Sequence, residues 1–129
     1  MGERLKGKVA IITGGNSGIG ASTGQLFAKE GARVVLMARR EEQGQMVANS
    51  ICDDGGEAIF VGCDVGDHDS VSRAVEEAAA AWGRIDLLFN NAGGGAGSSF
   101  PEEPIEEWQR VIHTNFTGNF FMSQAVWPH

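Results

Sequence analysis

The stretch Lys8-Val9-Ala10-Ile11-Ile12-Thr13-Gly14-Gly15-Asn16-Ser17-Gly18-Ile19-Gly20 decides how this chain is read. After Lys8, its residues Val9 to Thr13 are β-branched or apolar without interruption, the pattern of a strand covered on both faces. It then breaks into glycines and continues as a helix, with Ile19, Thr23, Leu26 and Phe27 at helical spacing and Gly31 as its stop. A glycine turn between a strand and a helix start binds phosphate well. Unpaired N–H groups and the positive end of the helix dipole converge there, and missing Cβ atoms admit a pyrophosphate. The same turn also serves tight helix–strand packing, so the loop alone leaves both readings open.

Working outward, apolar runs alternate with amphipathic stretches. Arg33–Ala38 reads as a second strand and Glu41–Asp54 as a helix with Met46, Val47, Ser50 and Ile51 on one face. Ala58–Val61 is a third strand. Asp67 or Asp69 caps a helix whose stripe runs Val71, Ala74, Val75, Ala78, Ala79 and Trp82, closed by Gly83. Ile85–Asn90 is a fourth strand, followed by a glycine-rich loop, Gly93–Ser99. From Pro104 a long helix is expected almost to Pro128, with Ile105, Trp108, Val111, Ile112, Asn115, Phe116 and Phe120 in period. The order β-α-β-α-β-α-β-α predicts an α/β, Rossmann-type doubly wound parallel sheet with strand order 3-2-1-4, residues 1–129 forming one domain.

Composition narrows the function. The chain has 129 residues, a formal net charge of −7 and nineteen glycines. The acidic balance argues against a nucleic-acid surface, which needs clustered cations. No apolar run reaches membrane-spanning length, and the polar Met1–Lys8 start is no secretory leader. Cys52 and Cys63 fit no metal-ligand spacing and read as reduced thiols of a cytoplasmic protein, with no metal site expected. His68, between Asp67 and Asp69, reads as part of an acidic helix cap.

Four motifs stand in one order: Thr13-Gly14 through Gly18 and Gly20, then Cys63-Asp64-Val65, then Asn90-Asn91-Ala92-Gly93, then Asn115. In this the chain resembles the amino-terminal portion of the classical short-chain dehydrogenases/reductases, over Leu5 to Pro128. The resemblance implies an oxidoreductase that moves a hydride between a nicotinamide cofactor and a carbonyl or alcohol carbon. It implies that Gly14, Gly18 and Gly20 line the pyrophosphate turn, with Ser17 and Ile19 beside the phosphates and nicotinamide. Asp64 and Val65 would frame the adenine, although Asp64 also reads as a strand-end cap. Asn91 would stabilise the central strand, and Ala92 and Gly93 pass the ribose.

Cofactor choice follows from charge. NAD-preferring relatives place a carboxylate about twenty residues after the turn, to bind the ribose hydroxyls. Here Ala38 stands at that place and Arg39 follows, a guanidinium shaped to grip a 2′-phosphate, so NADP is expected over NAD. Arg40 reads as solvated.

The resemblance also implies a catalytic serine, tyrosine and lysine downstream of the family's fourth helix. This chain contains no tyrosine. Of the catalytic group only Asn115 has a counterpart, implied to kink its helix and hold a water, and placed by periodicity on a buried stripe with Ile112 and Phe116. The sequence is therefore read as truncated after the fourth strand and its following helix, NADP-binding but inactive alone. The alternatives are a non-catalytic nucleotide-binding or scaffolding half-fold, or a half-enzyme completed by another chain. An unpaired Leu87-Leu88-Phe89 edge and an apolar last helix point to a homo-oligomer or a complementing chain.

Overall fold

The computed structural model describes residues 2–95 and 97–129, so Met1 and, within the expected loop Gly93–Ser99, Ala96 lie outside the described residues. Strands β1 (Val9–Thr13), β2 (Arg33–Ala38), β3 (Glu57–Gly62) and β4 (Leu87–Phe89) form one parallel sheet in the order β3-β2-β1-β4. Ile11 sits level with Val35 on one side and Leu88 on the other, and Val35 with Ile59. The crossovers are α1 (Gly18–Lys29), α2 (Glu41–Asp53) and α3 (His68–Trp82). After β4 come α4 (Ile105–Ile112), a π-helical segment (His113–Thr117) and α5 (Gly118–Val126).

All five residues of β1 are buried, as a strand sandwiched between helix layers requires. Alternation splits the core in two. Ile11, Val35, Met37 and Val61 pack with Val71, Ala74, Val75 and Ala78 of α3 and Met122 of α5. Ile12, Val34 and Leu36 pack on the opposite face with Ala28, Ala48 and Ile51. Asp67 caps α3, its Oδ1 accepting from the backbone N–H groups of Asp69 (3.0 Å) and Ser70 (3.3 Å), a contact worth about 1 kcal/mol. Gly83 closes that helix in the left-handed conformation, φ 75°.

Three helix faces differ from the sequence expectation. In α2 the buried residues are Gly44, Ala48 and Ile51; Met46 is 66 % exposed and Ser50 faces solvent. In α1 they are Gly20, Gly24 and Ala28, while Ile19 and Leu26 are exposed. Both helices approach the sheet through small residues: a Cβ on Gly44 would stand 2.2 Å from Phe60 Cε2, and one on Gly24 2.9 Å from Leu36 Cδ2. The sheet's own large side chains fill the gap, so bulky helix residues are displaced to the flanks.

The third difference concerns the last helix. Ile105, Trp108, Ile112, Phe116 and Phe120 form its most apolar line, yet all are exposed; Phe116 is 75 % exposed. The face turned inward is Gly118 and Met122, where Gly118 lies so close to Val65 that a Cβ would come within 2.8 Å of its Cγ2. Asn115 is half-buried and does not share a buried stripe with Ile112 and Phe116. The fourth strand is also shorter than expected, Leu87–Phe89, pairing with Ala10–Ile12 of β1.

Candidate functional site

A crevice of about 230 Å³ opens at the carboxyl ends of the strands, the place where open parallel sheets bind ligands. The turn after β1 contributes Gly14, Asn16 and Ser17, and the end of β2 contributes Met37, Ala38, Arg39 and Arg40. Gln43 enters from α2, and Cys63, Asp64 and Val65 from the end of β3. Ala92 and Gly93 follow β4, and Thr114 reaches in from the π-helical segment.

Two glycines of the turn are dictated by geometry. Gly14 has φ +67°, a left-handed conformation that strains residues with a Cβ. Gly20 packs so tightly that a Cβ would lie 2.1 Å from the Gly14 carbonyl oxygen. Gly18, φ +54°, has nothing within 4 Å of where its Cβ would be, so the turn is open on the ligand side. Ser17 is the N-cap residue of α1, and its hydroxyl makes no capping bond to the helix. The first N–H groups of α1 thus face the opening with a free hydroxyl beside them.

The cations stand at the far end. Arg39 and Arg40 are exposed and have no ion-pair partner among the described residues. Arg40, expected to be merely solvated, lines the crevice with Arg39. Asp64 plays the cap role as well as lining the crevice: its Oδ1 accepts from Gly66 N at 3.0 Å. Its backbone N–H donates to Ser70 Oγ at 2.9 Å, pinning the strand end to α3. Burial pushes the Cys63 thiol up to about 11, and the Asp64 and Asp67 charges add to this while the Ser70 hydroxyl opposes it. At neutral pH Cys63 is a protonated, apolar part of the wall.

A knot of hydrogen bonds holds the β4 end against the turn. Thr13, nearly fully buried, accepts at Oγ1 from the backbone N–H groups of Asn91 and Ala92, both at 3.0 Å, and donates to Phe89 O at 3.4 Å. Asn91 Nδ2 donates to Gly14 O at 3.4 Å, tying β4 to the glycine turn. Asn115 grips the backbone of Gly94 from both sides: its Nδ2 donates to Gly94 O at 2.7 Å and its Oδ1 accepts from Gly94 N at 2.9 Å. Arg110 adds a bond from Nη2 to Gly95 O at 3.3 Å. The helix bulges into its π-helical segment around Asn115, a common feature where a helix meets a functional site. His68 and His113 stand off the crevice, each edge-on to the Phe121 ring, at 5.2 and 5.9 Å.

The crevice brings together Gly14, Ser17, Arg39, Asp64, Val65, Ala92 and Gly93 of the residues expected from sequence. Gly18, Ile19 and Gly20 belong to the helix start beside it, and Asn91 and Asn115 brace its walls from behind. Sequence reasoning missed Asn16, Gln43, Met37, Cys63 and Thr114 as lining residues, and Thr13 as the knot. Asn16 and Thr114 adjoin motif residues, and Gln43 lies on the first turn after Arg39-Arg40; that adjacency was the available signal. The residues fit a dinucleotide: an open glycine turn at a helix start, unpaired guanidinium groups, and a crevice between them.

Comparison with known proteins agrees with this geometry. The family model described as short chain dehydrogenase matches residues 8–129. An uncharacterized oxidoreductase of Thermotoga maritima is 42% identical over 120 residues, covering 93% of this chain and 47% of the relative. Tropinone reductase-like 1 of Erythroxylum coca is 42% identical over 122 residues, 92% of this chain and 44% of that protein. Among solved structures, a metagenomic short-chain oxidoreductase in complex with NADP superposes with a TM-score of 0.90 at 37% identity, covering 96% of this chain and 57% of that one. The chain spans about half the length of the relatives it matches.

Proposed function

The chain belongs to the short-chain dehydrogenase/reductase family of oxidoreductases, and from that premise we propose that its crevice takes NADP(H) in preference to NAD(H). Gly14, Ser17, Gly18, Ile19 and Gly20 receive the pyrophosphate and the nicotinamide side, Asp64 and Val65 the adenine, and Ala92 and Gly93 the ribose. Asn91 and Asn115 keep the walls in register. The chemistry a bound nicotinamide would supply is the giving or taking of a hydride. In this chain Asn115 positions the Gly94 backbone and so the loop beside the cofactor. The observation that carries the cofactor choice is the pair Arg39–Arg40 lining the crevice without acidic partners among the described residues, next to Ala38 at the end of β2. A 2′-phosphate satisfies those cations and a ribose hydroxyl does not.

The chain carries no tyrosine, and the crevice thiol of Cys63, raised to about 11, stays protonated at neutral pH. The proposal therefore extends to a single domain that binds the nucleotide without oxidising it by itself; a cytoplasmic location is proposed with it on the separate ground that Cys52 and Cys63 are both free thiols. The exposed line Ile105, Trp108, Phe116 and Phe120 favours association with a second copy or a complementing chain.

Fluorescence titration of the pure chain with NADPH and NADH tests the reading. Arg39→Ala is expected to weaken NADPH binding about 10- to 100-fold, the equivalent of one charge-assisted hydrogen-bonding group, and NADH binding little. Equal losses for the two nucleotides would remove the 2′-phosphate contact.

A further inference from the structure

The first turn of α2 reads Glu41-Glu42-Gln43, and the crevice treats the three residues differently. Glu41 and Glu42 lie on the outer flank of the helix with Gln45, Met46 and Asn49. Gln43, the neutral one, faces the crevice beside Arg39 and Arg40. There it meets the glycine turn: Asn16 Nδ2 donates to Gln43 Oε1 at 3.1 Å, linking two elements 27 residues apart. Neither carboxamide has another hydrogen bond among the described residues, so of their four N–H bonds three remain unused, whichever amide is the donor. With Oε1 already accepting one bond, Gln43 presents both N–H groups of Nε2 to a ligand, and Oε1 keeps a single lone pair.

We infer that Gln43, held by Asn16, is a specificity-determining residue for the nucleotide, adding neutral N–H donors to the guanidinium groups around a phosphate on the ribose 2′ position. The inference rests on the NADP(H) reading above. A phosphate ester presents three charged oxygens that each accept more than one hydrogen bond, so extra donors are used; a 2′-hydroxyl offers one uncharged oxygen and gains less. A third carboxylate at residue 43 would instead set a negative charge among Arg39, Arg40 and the phosphate. The bridge to Asn16 also links the pyrophosphate turn to the start of α2, next to the arginines.

The experiment titrates the wild-type chain and the variants Gln43→Glu, Gln43→Leu, Asn16→Ala and Arg39→Ala with NADPH and NADH at two salt concentrations. Residue 43 is exposed on the first turn of a helix, where a carboxylate suits the dipole, so Gln43→Glu leaves the fold intact. It is expected to raise the Kd for NADPH at least about tenfold while that for NADH changes less than about twofold, with the penalty shrinking at high salt. Gln43→Leu and Asn16→Ala lower the NADPH preference in the same direction by a smaller factor, without the salt effect. An unchanged preference in Gln43→Glu, with Arg39→Ala lowering it, overturns the role of Gln43 and leaves the NADP(H) reading standing. A wild-type chain that prefers NADH, binds neither nucleotide, or is indifferent to Arg39→Ala overturns the reading and this inference with it.

Discussion

Replacing Thr13 by valine keeps the volume and shape of a buried side chain and deletes one oxygen. That oxygen is the sole side-chain acceptor for two consecutive backbone N–H groups, those of Asn91 and Ala92, and also donates to Phe89 O. The variant orphans the Ala92 N–H in a part-buried junction between β1 and β4 and leaves the Asn91 N–H only its second acceptor, Phe89 O at 3.0 Å. An unsatisfied group of this kind costs about 1–3 kcal/mol, so the loss at Ala92, with the weakened bonding of Asn91, should cost roughly 2 kcal/mol. A domain of this size has about 5–15 kcal/mol in all, so the loss is a large fraction of it. With a urea slope of about 1–3 kcal/mol per molar, the unfolding midpoint should fall by about 1 M. Thr13→Ser retains the oxygen and loses one methyl group, about 1 kcal/mol, and serves as the control. Since Ala92 lines the crevice, valine should also weaken nucleotide binding, and serine should not. A Thr13→Val midpoint within experimental error of wild type, or a serine variant as unstable as the valine one, would refute the account of this junction.

Asp64→Ala should weaken NADPH and NADH alike, because the adenine is common to both; Asp64→Asn, which retains an oxygen for Gly66 N, should separate the ligand role from the turn role, and an unaltered affinity in the alanine variant leaves Asp64 as a cap only. The Arg84 guanidinium and the Val9 N–H hold the Asp86 carboxyl below the usual range. A carboxyl lowered on folding adds stability that is full above its unfolded pKa of about 3.9 and is lost as pH falls through the lower folded value. Urea midpoints from neutral down into that acid range should therefore fall less steeply in Asp86→Asn than in wild type, and superimposable profiles would show that the pairing carries no stability. Light scattering at micromolar concentration should find at least a dimer, since Trp108, Phe116, Phe120 and Trp127 (88 % exposed) leave the last helix largely uncovered; a monodisperse monomer would count against it.

Much of the fold was legible in the sequence because its signals are local. The strand order 3-2-1-4 followed from alternating elements and right-handed crossovers, and the sheet has that order. The continuous apolar run Val9–Thr13 announced burial on both faces, and all five residues are buried. Asp67 and Gly83 marked the ends of α3 by chemistry that acts within a turn or two of the chain. Gly14 was read from the glycine turn at a strand end, Arg39 from its distance after that turn, and Asp64 and Ala92 from the family resemblance; all four line the crevice.

What the sequence alone determined, then, is the succession of elements and the four strand ends that carry the chemistry, since periodicity, glycines and caps are properties of short segments. Only the tertiary structure decided which side of each helix is buried. Hydrophobicity favoured Met46, Leu26 and the Ile112–Phe116 line, but the distance between helix and sheet is set by both partners, and Phe60, Leu36 and Val65 had already filled that space. The Asn16–Gln43 bridge and the grip of Asn115 on Gly94 were likewise invisible beforehand, being contacts between residues 27 and 21 positions apart whose meeting depends on the packed geometry of the whole sheet.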